Sequence, residues 1–410
     1  MVPKEWEIKT IGDIATVSSG GTPSRKEQAY WNGDIPWVTT AEVQFKTILD
    51  SAEKITKEGL TNSSAKLFPI NTILMAMYGQ GKTRGQVAKL GIEASTNQAC
   101  AAIILSSDYC VDYYYQFLIY QYENIRDMSN SGSQENLSGS IVKSIPVLVP
   151  PYFEQEKIAQ ILSTWDQAIS ATEKLIENSQ QQKKALMQQL LTGKKRLLDE
   201  NGVNFSERWN EYSLGNLGNT FTGLTGKTKD DFGSGVPYIT YMNIFKNSRI
   251  DINQVDYVVV KEDENQNSVR YGDIFFTTSS ETAEEVGMSS VLLEEVERLY
   301  LNSFCFGFRL NNFKVLLPQF AAYILRSSNI RKQISILGQG ATRYNLSKNQ
   351  LMKLILKLPT IAEQKKIAEI LTLSDQEIET LQKKLNCLKR EKKSLMQQLL
   401  TGKKRVKVAA

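Results

Sequence analysis

Glu154-Gln-Glu-Lys-Ile-Ala-Gln-Ile-Leu162 and Glu363-Gln-Lys-Lys-Ile-Ala-Glu-Ile-Leu371 are two copies of one segment. The match runs without a gap from 154–197 to 363–406, a shift of 209 residues, and 24 of the 44 positions are identical. It closes on Leu186-Met-Gln-Gln-Leu-Leu-Thr-Gly-Lys-Lys-Arg196, which recurs unchanged from Leu395 to Arg405. Self-similarity of this kind marks a duplicated architectural unit. Mostly apolar seam positions recur at alternating spacings of four and three, through Ile158, Leu162, Trp165, Ile169, Thr172, Ile176, Ser179, Lys183, Leu186 and Leu190 in the first copy, the more polar of the two. The second copy runs through Ile367, Leu371, Ser374, Ile378, Leu381, Leu385, Leu388, Lys392, Leu395 and Leu399. That period predicts a helix carrying a coiled-coil seam. Each helix is expected to start after a proline and to stop at Thr-Gly-Lys-Lys-Arg, where glycine supplies a left-handed cap and the cations face the negative helix end. About 38 residues at roughly 1.5 Å rise make a rod of about 57 Å.

Outside the rods the repeat is weaker but continues. Trp6 and Gly12 find counterparts in Trp209 and Gly215; Pro36-Trp-Val-Thr39 resembles Pro237-Tyr-Ile-Thr240; Asn97-Gln-Ala-Cys100 resembles Asn302-Ser-Phe-Cys305; and Asn136-Leu-Ser138 resembles Asn345-Leu-Ser347. Short β-rich runs (Ile73–Met77, Ala101–Leu105, Val147–Val149; then Ile274–Phe276 and Phe306–Leu310) alternate with helix-like stretches at Tyr113–Tyr122 and Pro318–Arg326. The expected fold class is α+β: two similar mixed α/β domains, 1–150 and 198–358, with spacer helices at 151–197 and 359–410, the latter ending in a basic tail. If the rods pair antiparallel, the domains are related by a pseudo-twofold axis. The alternative is that each helix fills the core of its own domain.

Length and composition bound the function. At 410 residues, with 41% hydrophobic and 23% charged positions, the chain is long enough for two cores and shows no disordered bias. There is no histidine, which removes the commonest general base and metal ligand and every Ser/His or Cys/His nucleophile arrangement. Cys100, Cys110, Cys305 and Cys387 have no metal-ligand spacing and read as reduced thiols. No apolar run is long enough to span a bilayer and the N-terminus has no signal-peptide pattern, so a cytoplasmic protein without membrane contact is expected.

Ala76-Met-Tyr-Gly-Gln-Gly81-Lys82-Thr83 approximates a phosphate-binding loop after an apolar strand. Such a loop needs a helix next, whose N-terminal amides cradle the phosphates. Here Arg84-Gly-Gln-Val-Ala-Lys-Leu-Gly91 reads as another short strand, and the second copy has Thr277-Thr-Ser-Ser-Glu-Thr282 without the lysine. Nucleotide hydrolysis, and nuclease chemistry on carboxylates, therefore rank as rivals without a site.

The order of domain, Glu-Gln-x-Lys-Ile-Ala helix, domain, Glu-Gln-x-Lys-Ile-Ala helix resembles the specificity subunits of type I restriction-modification systems over essentially the whole chain. The repeated Leu-Met-Gln-Gln-Leu-Leu-Thr-Gly ends carry the resemblance further, supported by Trp6, Gly20-Gly-Thr-Pro23 and Thr96-Asn-Gln-Ala-Cys100. It implies a non-catalytic subunit in defence against foreign DNA. Each variable domain would be a target recognition domain reading half of an asymmetric, interrupted site in double-stranded DNA. The helices would dock two modification (methyltransferase) subunits, and restriction (translocase and nuclease) subunits would join them. S-adenosylmethionine, ATP and Mg would sit on those partners and no cofactor on this chain. A coiled-coil interaction scaffold without DNA specificity is the alternative.

Polar loops between the strands supply candidate DNA contacts, since Arg suits guanine and Asn or Gln suits adenine. In the first domain these are Thr22, Ser24, Arg25, Lys26, Tyr78, Gln80, Lys82, Arg84, Gln134 and Asn136. In the second they are Thr225, Lys227, Lys229, Tyr241, Asn243, Gln339, Thr342, Arg343 and Asn345. Leu186, Met187, Leu190, Leu395, Met396 and Leu399 are the expected partner-docking surface. The charge map runs against a free-standing DNA binder: residues 1–150 carry 13 cations against 15 carboxylates, and 198–358 carry 17 against 18. Either a local basic face is hidden in the average or a partner supplies much of the grip, and the second reading is preferred.

Overall fold

The computed structural model describes residues 3–79, 81–129, 136–340 and 342–407. Two unbroken helices, Tyr152–Leu190 and Ile361–Leu399, stand where the duplicated segment lies. Packing groups the segments differently from chain order: one compact unit is Met1–Glu173 with Lys383–Ala410, the other Lys174–Gln382. The reason is burial. Met396, Leu399 and Leu400, from the end of the second helix, lie in the core built by the first domain. Leu190 and Leu191, from the end of the first helix, lie in the core of the second.

In the first unit a five-stranded sheet runs in the order Ala15–Ser19, Cys100–Leu105, Ile73–Ala76, Val87–Leu90, Thr47–Ile48. Ile73–Ala76 is buried throughout, with Ile73 and Met75 entering one core cluster and Leu74 and Ala76 another, as period-two alternation requires of a strand covered on both faces. The helix Val111–Tyr120 covers the first cluster with Tyr113, Tyr114, Phe117 and Leu118. A second sheet, Glu53–Ile55, Trp31–Val38, Ala94–Thr96 and Leu67–Phe68, completes the domain with the antiparallel pair Glu7–Thr10 and Pro146–Val149.

The second unit repeats this plan. Gly218–Thr222, Cys305–Leu310, Ile274–Thr277 and Ser289–Val291 form its central sheet, and Cys305 faces Thr277 as Cys100 faces Ala76. Burial pushes both cysteine thiols up to about 12, so they are inert core residues. A three-stranded sheet of Ser279–Ser280, Tyr344–Leu346 and Gly338–Gln339 has no counterpart among the described residues of the first unit.

The residues that make the repeat recognisable make the same contacts twice. Arg196 Nε and Nη2 donate to the Glu363 carboxylate at 2.7 and 2.8 Å, and Arg405 Nε donates to Glu154 at 2.8 Å. Gln155 and Gln364 donate to the carbonyls of Pro150 and Pro359, each at 2.9 Å, while their side-chain oxygens accept from the amides of Cys110 and Leu317. Asp166 pairs with Lys392 and accepts from Gln116; Asp375 pairs with Lys183 and accepts from Tyr323. Within the first unit the helices pair Asp166 with Lys392 and Glu173 with Lys389, rising numbers against falling ones, so they run antiparallel there. Gly193 and Gly402 cap the helices at φ +67° and +70°. The arginines beyond those caps engage buried carboxylates rather than the helix ends, because each Glu is only 1% exposed and requires a cationic partner.

Gly20 and Gly223 matter for space rather than dihedral freedom. A Cβ on Gly20 would overlap the Thr96 carbonyl, and one on Gly223 the Asn302 carbonyl. Gly20→Ala and Gly223→Ala should each lower stability by about 1–3 kcal/mol, the range for overpacking. Gly139→Ala, with nothing within 4 Å of its Cβ position, should stay within about 0.5 kcal/mol of the parent. Urea unfolding of the three variants checks this, and equal midpoints would remove the steric account.

Candidate nucleic-acid interface

In the second unit, Thr278 ties two surface elements together. Its amide and hydroxyl both donate to the Phe304 carbonyl, at 3.2 and 2.7 Å, and its own carbonyl accepts from the Leu346 amide at 2.8 Å. Ser279 and Ser280 then pair with Asn345 and Tyr344, and Gln339 pairs with Asn345. The Tyr241 hydroxyl donates to the Ser279 carbonyl at 2.8 Å, with burial raising the pKa of that hydroxyl. Gln339, Thr342, Arg343 and Asn345 are exposed on this hairpin. Four of the predicted contacts are thus gathered with Tyr241 on one surface.

The first unit builds the same junction at Met77, whose amide donates to Ala99 and whose carbonyl accepts from Leu137. Exposed Tyr78 follows Met77, half-buried Asn136 precedes Leu137, and the Thr22 hydroxyl donates to Gln98 next to Ala99. The loop between Tyr78 and the strand Val87–Leu90 has, among its described residues, no helix of the kind a phosphate-binding loop needs. Tyr122 and Arg126 pin it by donating to the carbonyls of Lys82 and Gly81. Lys82, Ser24 and Lys26 are exposed. Gln80 and Gln134 lie outside the described residues.

Several predicted contacts serve the fold instead. Arg84 is buried, only 8% exposed. Asn243 is 2% exposed and donates to the carbonyls of Asp251 and Gln254, both at 2.8 Å, closing the turn that follows its helix. The Lys227 side chain is 4% exposed, pairs with Glu264 and donates to the Val259 carbonyl. That pairing, with Gln266, holds the Glu264 carboxyl below its ordinary range. Arg25 is exposed but engaged: it forks onto Glu53 and stacks 3.7 Å from the Trp31 ring centroid. Thr225 and Lys229 are exposed, the backbone of Thr225 being clamped by Gln266.

The expected docking surface also needs correction. Leu190, Met396 and Leu399 are core residues, 1%, 6% and 4% exposed, and Leu186, Met187 and Leu395 pack against the same cores. Apolar side chains at a helix end find cover in the nearest core, here the domain that each helix terminus closes. Exposed large apolar positions on the long helices are instead Tyr152, Phe153, Leu175 and Leu373, 47%, 50%, 50% and 64% exposed. The residues missed from the sequence are Gln98, Thr278, Ser279 and Phe304; the repeated Asn97-Gln-Ala-Cys100 and Asn302-Ser-Phe-Cys305 were the signal that could have found Gln98 and Phe304.

A family model for the type I restriction modification DNA specificity domain matches residues 3–179 and, a second time, residues 206–390. The chain belongs to this family. Similar curated members are the MjaIX specificity subunit of Methanocaldococcus jannaschii, 34% identical over 190 residues, and the EcoR124I/EcoR124II specificity subunit of Escherichia coli, 32% identical over 169 residues. These alignments cover 45% and 40% of this chain and 42% and 41% of those proteins, less than half of each. The MjaVIII specificity subunit of M. jannaschii aligns at 25% identity over 99% of this chain and 94% of its own length. The fold is that of the type I restriction-modification S subunit from M. genitalium, with a TM-score of 0.59 and 17% identity, covering 97% of this chain and 96% of that one. A second solved structure, described as concerning complex assembly and conformational transition of the type I R-M system, gives 0.58 at 14% identity over 98% of both chains. All the named relatives are specificity subunits. Among the described residues, no helix is long and apolar enough to cross a membrane.

Proposed function

We propose that this chain reads a bipartite, asymmetric double-stranded DNA site and docks methyltransferase and restriction subunits, which carry S-adenosylmethionine, ATP and Mg. The observation that carries this reading is the repeated junction: one hydrogen-bonded mount, at Met77 and at Thr278, surrounded by different exposed side chains in the two domains. A repeated mount with unlike readers suits two unlike half-sites. Thr22, Ser24, Lys26, Tyr78, Lys82 and Asn136 are the candidate contacts of one domain, and Thr225, Lys229, Tyr241, Gln339, Thr342, Arg343 and Asn345 of the other. The near-neutral domains fit a DNA grip shared with the partners, and the second solved structure concerns assembly of a type I R-M complex.

The test is methylation mapping by single-molecule sequencing in cells expressing the chain with a candidate modification subunit, and in cells lacking the chain. An interrupted, asymmetric motif that depends on the chain is the expected result; its absence beside an active, assembled partner would leave the scaffold reading. Arg343→Ala should relax one base position in one half-site, with discrimination there falling by about tenfold or more, the worth of a good side-chain–base contact. An unaltered motif removes Arg343 from the reading surface.

A further inference from the structure

The turn leading into the strand Cys305–Leu310 presents Phe304, 64% exposed, beside the polar hairpin of the second domain. A lone exposed phenyl ring is unremarkable in itself; its mounting carries the argument. The Asn302 side-chain oxygen accepts from the Phe304 amide at 2.8 Å, the Asn302 carbonyl accepts from Cys305 at 3.2 Å, and the Phe304 carbonyl accepts both donors of Thr278. Buried Cys305 anchors the next position. The first domain builds the same turn: Asn97 accepts from the Ala99 amide at 3.2 Å and from Cys100 at 3.2 Å, and the Ala99 carbonyl accepts from Met77 at 2.8 Å. One scaffold therefore holds a methyl group in one domain and a benzyl group in the other, each next to that domain's exposed polar loops.

We propose that Phe304 is a specificity-determining residue that contacts a thymine 5-methyl group in the major groove, with Ala99 at the corresponding position of the other domain; this rests on the DNA-reading function above. The thymine methyl is the apolar feature of the major-groove base edges, and Phe and Ala are both side chains suited to it. Arg343, Asn345 and Gln339, on the hairpin that Thr278 joins to the Phe304 turn, suit the polar edges around such a methyl group. Hydrogen bonds at its amide and carbonyl fix the backbone that carries the ring before DNA arrives, so only the side-chain rotamer is left to be ordered on binding.

The experiment uses the full chain assembled with its modification subunit. The motif is mapped for the parent, Phe304→Ala and Phe304→Leu, and methylation rates are measured on duplexes in which each thymine of the half-site relaxed by Arg343→Ala is replaced in turn by deoxyuracil. The parent should slow by about fivefold or more at one thymine. Phe304→Ala should methylate thymine and deoxyuracil duplexes equally and relax the motif at that position alone, while Phe304→Leu retains part of the discrimination. An unaltered Phe304→Ala motif, equal parent rates at every thymine, or relaxation spreading to the other half-site overturns the assignment. A parent chain that directs no motif at all refutes DNA reading itself and this inference with it, a result distinct from the other three.

Discussion

Glu363→Ala is expected to destabilise the second unit by about 3–5 kcal/mol, the loss typical of breaking a buried ion pair by removing one partner. Glu363 is 1% exposed and accepts from Arg196 twice and from the Trp209 indole at 3.3 Å. Removing the carboxylate strands the guanidinium and the indole together and releases the segment after Gly193 from the start of the second long helix. In urea the midpoint should fall by roughly 1–2 M. Glu211→Ala is the control: its pair with Lys357 is exposed, 60% and 68%, so its loss should be within about 1 kcal/mol. Equal effects from the two variants would show that the duplicated pair is decorative. In the first unit Glu154→Ala should release the C-terminal segment, held through Arg405, to limited proteolysis.

Arg326→Ala is expected to cost about 3–5 kcal/mol for a different reason, the loss of hydrogen-bond donors to several carbonyls at once. The guanidinium donates to the carbonyls of Ser289, Ile244, Phe245 and Asn247 at 2.6, 2.6, 3.1 and 2.7 Å. Burial pulls its pKa down to about 10, which leaves it protonated at neutral pH. It staples the end of the helix Tyr241–Lys246 to the strand Ser289–Val291, and Tyr241 heads that helix on the candidate reading surface. The Tm should drop by roughly 10 °C. Arg326→Lys should recover little, because an ammonium lacks the planar fork that spans several acceptors. Full recovery by lysine, or a drop of only a degree or two, would show that the fork is not what holds these segments.

The architecture was legible because its signals are local or periodic. The seam of the long helices is a spacing, their caps are glycines, and Ile73–Ala76, Ile274–Thr277 and Cys305–Leu310 are short apolar runs bounded by polar turns. The repeat carries the residues of the duplicated contacts, since Glu154, Gln155, Asp166 and Arg196 recur as Glu363, Gln364, Asp375 and Arg405, but which of them pair was decided by the structure. The site was legible only in part. Arg343, Asn345, Gln339 and Tyr78, read as polar or aromatic residues in loops, stay exposed, but Lys227, Asn243 and Arg84 have the same composition and setting and their side chains are buried. Whether a polar side chain is spent inside the fold depends on acceptors supplied from elsewhere, such as Glu264 for Lys227 or the carbonyls of Asp251 and Gln254 for Asn243.

By itself, the sequence determined the duplication, the two long helices and their ends, the β-rich pairs of domains and the family, because each is written in spacing or identity along the chain. Tertiary structure alone decided which core each helix terminus closes, so that Met396 and Leu399 belong to the first domain and Leu190 to the second. It also decided which loop residues remain outside and that Phe304 stands beside the hairpin. Burial and hydrogen-bond satisfaction are set by contacts between residues far apart in the chain, and no local pattern records them.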